Sequence, residues 1–228
     1  IVGAIDRAQA ETLARRLNDA LPAGPAAPPL PPVQPPAQSQ LEQVPFNSAQ
    51  THIIIGQPAI ARGDKDIYAF MVGNHVLGGG GLVSLLTTTM RDQHGLSYST
   101  SSYFVPSARP GPFVIGSQVR NESAEQAVTV LRKVFTDFLQ NGPTQQQLDL
   151  AKRNITGGFP LNLDSNSKIV GYLAVIGFYG LPLDYLDTYL DRVDAVTAKD
   201  VQAAFQRHLN PAAMATVRVG PQSSEPAR

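Results

Sequence analysis

Residues 22–36 hold eight prolines among alanines and a glutamine, and no other stretch limits the fold so strongly. Each proline removes a backbone donor and fixes φ, so the segment suits neither a helix interior nor a sheet centre and favours extended polyproline II. The composition predicts a linker over residues 22–43, with a proline-rich ligand for a small adaptor domain as the competing reading. It divides the chain unequally. Ahead of it, residues 1–5 (IVGAI) read as a short strand. Asp6 and Gln9 have capping-box spacing for a helix bearing Ala10, Leu13, Ala14 and Leu17 on one face. One strand and one helix hold too little core to stand alone, so residues 1–21 are expected to be the tail of a preceding domain.

The main domain is expected over residues 44–220, followed by a flexible tail at 221–228. Residues 51–56 (THIIIG) read as a central strand. A helix capped by Asp64 carries Ile67, Phe70, Met71, Asn74 and Leu77 and stops at Gly78. After Gly78-Gly79-Gly80-Gly81, residues 82–90 have helical spacing, Arg91 falls in the last turn, and Gly95 suits the C-terminal stop. Residues 96–105 and 113–119 read as an antiparallel pair of strands, with Tyr98 early in the first. The stripe Ala124, Ala127, Val128, Leu131, Val134, Phe135 and Phe138 marks the clearest helix, over 122–139. Thr144 and Gln147 cap another, and helices at 166–178, 184–193 and 198–209 precede a closing strand at 213–219. Strands at the beginning, middle and end, with helices clustered between them, predict an α+β fold with helices on a mostly antiparallel sheet.

Eighteen basic and eighteen acidic residues cancel, so the chain lacks the basic footprint that nucleic-acid binding needs. No cysteine is present, which removes disulfides, thiolate zinc sites and a cysteine nucleophile together. No run of about 18 apolar residues offers a membrane span. With neither an initiator methionine nor a basic-then-apolar leader, the sequence is read as a fragment or mature piece of something longer.

Candidate chemistry is sparse. His52, His75, His94 and His208 show no spacing that puts two imidazoles on one helical face, and neither H-E-x-x-H nor H-x-x-E-H occurs. The glycine run lacks the Lys-Ser/Thr pair of a phosphate loop and reads better as a tight turn. Ser84, Ser97 and Ser99 have no nucleophile elbow around them. Arg91 and Tyr98 remain: a permanent cation and a phenol seven residues apart, a pair able to grip a peptide backbone.

These residues resemble a known family. Leu77 with the four glycines, Leu86, and Arg91-Asp92-Gln93-His94-Gly95-Leu96-Ser97-Tyr98 are similar to the C-terminal, non-zinc half of pitrilysin/insulinase metallopeptidases, which include mitochondrial processing peptidase. The resemblance runs from about Val44 to Gly220. In that family two similar halves face each other across a chamber; one supplies H-x-x-E-H zinc ligands and the general base, the other an arginine and a tyrosine that hold the substrate. By motif these are Arg91 and Tyr98, with Tyr98 also stabilising the oxyanion. The resemblance implies no cofactor in this chain, zinc in a partner half from the same precursor or another subunit, a peptide substrate, and a periplasmic or exported location. It also implies inactivity for this chain alone. Where family members often carry Ser-Arg-Leu, this chain has Ser84-Leu85-Leu86, so one arginine contact is missing. The rival expectations are a non-catalytic scaffold subunit of the same fold and a module that binds extended peptides along a strand edge.

Overall fold

The computed structural model describes residues 1–221, so the tail expected at 221–228 lies, but for Pro221, outside the described residues. A five-stranded sheet is built from β1 (Gln40–Pro45), β2 (Gln50–Ile60), β3 (Thr100–Phe104), β4 (Gly111–Arg120) and β5 (Ala215–Gly220), in the order β1-β5-β2-β4-β3. Every neighbouring pair is antiparallel except β1 with β5. The α+β, mostly antiparallel expectation therefore holds, and β2 is the central strand.

Helices cover one face only. The inward side chains Ile53 and Ile55 of β2 and Phe113, Ile115 and Val119 of β4 are buried. Above them lie α2 (Ile67–Asn74), α4 (Ala124–Asn141) and α8 (Ala198–His208), while α5 (Gln145–Gly158) and α7 (Tyr185–Asp194) pack behind α2. Aromatic rings lock these layers together. Phe70 of α2 stacks on Phe205 of α8 with centroids 4.6 Å apart, and Phe113 of β4 stacks on Phe135 of α4 at 5.7 Å. α6 (Asn166–Tyr179) is apolar almost all round yet buries only Ile176. Among the described residues no helix is long and apolar enough to cross a membrane.

Local signals explain several boundaries. The Thr144 and Gln147 capping box starts α5, and the Asp6 and Gln9 box starts α1 (Arg7–Asp19). Four readings need correction. Residues 1–5 form no strand, because no strand lies beside them to complete a ladder. The linker is shorter than its composition implies: β1 begins at Gln40, where pairing with β5 supplies the order that local propensity does not. Asp66, not Asp64, precedes α2; the Asp64 carboxylate instead accepts from the Asp66 amide at 2.9 Å. The strand expected at 96–105 starts only at Thr100, so Tyr98 sits in the connection before it.

The linker is also tethered. Arg109, between β3 and β4, donates to the Leu30 carbonyl from Nε at 3.2 Å and from its terminal nitrogen at 2.8 Å. At the end of α8, Arg207 grips both oxygens of Asp66 at 2.7 and 3.1 Å, and His208 lies 3.0 Å from the same carboxylate. Burial pushes the Asp66 carboxyl up, but the hydrogen bonds from Arg207 and His208 outweigh it and hold it below the usual range.

Two outcomes follow for stability. Phe205→Ala empties the centre of the aromatic stack and should cost about 3–5 kcal/mol in urea unfolding. Asp66→Ala should cost about 1.5–3 kcal/mol at neutral pH. Because the folded-state value is the lower one, that contribution is complete above the unfolded carboxylate value of about 3.9 and is lost as pH falls through the folded value. The gap between wild type and variant should close in acid; a constant gap would show that the carboxylate charge is not what matters.

Candidate functional site

The glycine run begins where α2 widens into a π-helical turn, His75–Gly79. A Cβ on Gly78 would lie 2.3 Å from the Ser102 amide nitrogen of β3, so only glycine lets this turn sit on the edge strand. Asn74 and Ser102 seal the same contact: the Ser102 hydroxyl donates to Asn74 Oδ1 at 2.8 Å, and Asn74 Nδ2 donates to the Ser102 carbonyl at 3.3 Å. Protein also crowds the Cβ positions of Gly79 and Gly80, whereas Gly81, with φ at +68°, meets open space, which agrees with a turn. His75 packs at this turn, where burial lowers its pKa.

Residues 82–90 are not one regular helix. A 3₁₀ turn Gly81–Val83 is followed by the single turn α3 (Leu85–Thr87), which widens into a second π-helical segment, Thr88–Gln93. Buried Leu86 and Met90 anchor it on the core. Arg91 leaves this segment with its side chain 29% exposed and bonded to its neighbour, Nε to Asp92 Oδ1 at 2.7 Å. That hydrogen bond pushes the Arg91 pKa up and the Asp92 carboxyl down, and the Coulombic influence of Tyr98 adds a smaller upward push on Arg91.

Gly95, with φ at +60°, then reverses the chain. The Leu96 amide closes on the Met90 carbonyl at 2.8 Å, and the Ser97 hydroxyl donates to the carbonyls of Ser99 and Gln118. These bonds hold residues 96–99 off the β-ladder and push Tyr98 outward, 80% exposed. It lines a groove of about 410 Å³ on the uncovered face of the sheet, with Ser99, Ser101, His52, Ile54 and Gln118. Arg91 does not line the groove.

The other sequence candidates separate from this pair. Ser84 is buried, its hydroxyl 2.8 Å from the Gly81 carbonyl and 3.0 Å from Thr87 Oγ1, and Ser97 is spent on carbonyls, so neither has a base. His94 is exposed at the turn, and His52 reaches the groove from β2. One grouping was not legible: Asp64, Asp66 and His208 converge within 4.8 Å, brought together from sites 142 residues apart. Arg207 occupies both oxygens of Asp66, so a guanidinium stands where a metal would, and the grouping does not fit a catalytic zinc. The groove itself was also missed. Three successive isoleucines, 53–55, suggest a strand covered on both sides, whereas Ile54 stays 45% exposed.

Residues 1–155 match the protein family described as Peptidase M16 inactive domain. The chain is 27% identical over 167 residues to an uncharacterized zinc protease of Streptomyces coelicolor, covering 73% of this chain and 36% of that protein. It is 29% identical over 133 residues to the non-peptidase homolog YmxG of Helicobacter pylori, covering 57% of this chain and 30% of that protein. A solved structure, the peptidase M16 inactive domain from Pseudomonas fluorescens, superposes with a TM-score of 0.91 at 38% identity, covering 99% of this chain and 54% of that one. The chain thus spans between 30% and 54% of the lengths of these proteins.

The Arg91 and Asp92 contact is directly measurable. In an NMR pH titration the Asp92 carboxyl should titrate below the ordinary carboxylate range and return toward it in Arg91→Ala. An unchanged Asp92 titration in that variant would dissolve the pair.

Proposed function

Because this chain belongs to the peptidase M16 inactive-domain family, the group its Arg91 and Tyr98 segment resembles, we propose that it is the substrate-binding half of a zinc peptidase. The zinc and the general base belong to a homologous half, supplied by the same precursor or by another subunit. In this reading residues 1–21 end the preceding half, the prolines join the two, and the domain proper begins near β1. The assembled protein works in the periplasm or outside the cell, a location that rests on the family's bacterial members and the proline-rich linker.

The observation that carries the reading is the placement of Tyr98. Its side chain stands exposed and lines a groove on the uncovered sheet face, seven residues along the chain from Arg91. A peptide laid along this face would offer carbonyls to two hydrogen-bond donors, a guanidinium and a phenol. Arg91 positions the backbone. Tyr98 donates to the carbonyl oxygen as it gains negative charge, a role worth on the order of 10²-fold when the donor is pre-aimed. The chain contributes this wall and carries no H-x-x-E-H motif, so it should be inert alone.

A second reading has one specific support: the Helicobacter pylori relative carries the name of a non-peptidase homolog. Under it the chain is a scaffold subunit, or captures extended segments along β3, an edge strand adjoining Tyr98. Whether the coding sequence upstream, or a neighbouring one, holds H-x-x-E-H separates these readings.

Adding the H-x-x-E-H half should restore chelator-sensitive cleavage of a fluorogenic peptide. Arg91→Ala and Tyr98→Phe should each lower kcat/KM by roughly 10²-fold, with folding unchanged. Full activity in both variants would remove the assigned roles.

A further inference from the structure

A second cavity, of about 330 Å³, lies on other elements: Arg62 after β2, Asn162 after α5, Lys168, Tyr172 and Val175 on α6, and Tyr185 on α7. None of these residues lines the groove beside Tyr98. The cavity's charge is unbalanced. Lys168 is already engaged, its ammonium 2.9 Å from Asp164 and 2.7 Å from the Leu161 carbonyl. Arg62 has no carboxylate within ion-pair distance among the described residues, and its buried Nε has no hydrogen-bond partner. Among the described residues no acceptor meets the rest of this guanidinium either, so the cation that lines the cavity is left free to take one from a ligand.

The side chain is held ready for one. The Arg62 amide donates to the Ser107 carbonyl at 2.9 Å, fixing the backbone, and the guanidinium lies over the Tyr179 ring at 5.4 Å. Around it the lining is two phenol rings, a valine and the bare backbone of Gly171. Burial pushes the Tyr172 phenol up, so it keeps its proton and can donate.

We propose that this cavity binds a monocarboxylate carrying an aromatic or branched apolar body, with the carboxylate on Arg62 and the body between Tyr172, Val175 and Tyr185. A guanidinium fork matches a carboxylate. One uncommitted cation suits a single negative charge better than a phosphate dianion, and the volume falls at the small end of ligand pockets. The same chemistry is presented by a free acid and by the last residue of a peptide. The proposal does not rest on the peptidase reading.

The test is an NMR titration of the full 228-residue chain with N-acetylphenylalanine and with its amide. The acid should give saturable shifts at the cavity residues, and the amide should bind at least about tenfold more weakly. Arg62→Gln should cost a similar factor, and Arg62→Lys less. Gly171→Leu is the decisive variant: a Cβ there meets open space, and leucine favours the helix, so binding should vanish while Tm holds or rises. A hexapeptide ending in phenylalanine, free or amidated, identifies the source. Binding of the free-ended peptide at the same residues assigns a peptide terminus, and binding of the small acid alone assigns a metabolite-sized ligand. Equal binding of acid and amide, full binding by Arg62→Gln or Gly171→Leu, or no saturable shift up to the solubility limit of the acid would overturn the proposal.

Discussion

The approach of Gly78 to the backbone of Ser102 is the contact on which the site depends. It lets the end of α2 lie directly on edge strand β3, and the Asn74 and Ser102 side chains close the seam. From there geometry propagates along the chain. The π-helical segment over Thr88–Gln93, anchored by Met90, aims Arg91, and the return through Gly95 brings Tyr98 back to the same strand. Any side chain at Gly78 would lift the turn from the sheet.

The second constraint is one-sided covering. An antiparallel sheet can face open space on one side because its backbone groups are already paired within the ladder. Here every packed helix lies on the face of Ile53, Ile55, Phe113 and Ile115, so His52, Ile54 and Gln118 line an open groove. The core supplies stability on one side, and the other side stays open. Tyr98 stands at the junction of the two.

What was legible in the sequence was what local chemistry determines. The capping boxes at Asp6 and Thr144, the α4 stripe and the glycine stop at Gly95 need only near neighbours, and the structure carries each of them. Features made by distant pairing were not legible. β1 takes its order from β5, some 175 residues away, and so looked like linker. The Asp66, Arg207 and His208 network joins two ends of the domain. The π-helical turns leave no mark in a 3.6-residue period, and hydrogen bonds to Met90 and Gln118 moved Tyr98 out of its expected strand. The spacing of Arg91 and Tyr98 is local and could be read from the sequence, whereas the groove that Tyr98 lines depends on which face the helices choose.

The central claim is that a peptide lies on the open sheet face beside Tyr98. Photocrosslinking tests it most directly: a peptide carrying a benzophenone is bound to the assembled protein, both halves present, and the crosslinked residues are mapped by mass spectrometry. The account predicts adducts at Tyr98 and its groove neighbours His52, Ile54 and Ser101, competed away by unlabelled peptide. Adducts confined to the helical layer, with none on the sheet face, would contradict it.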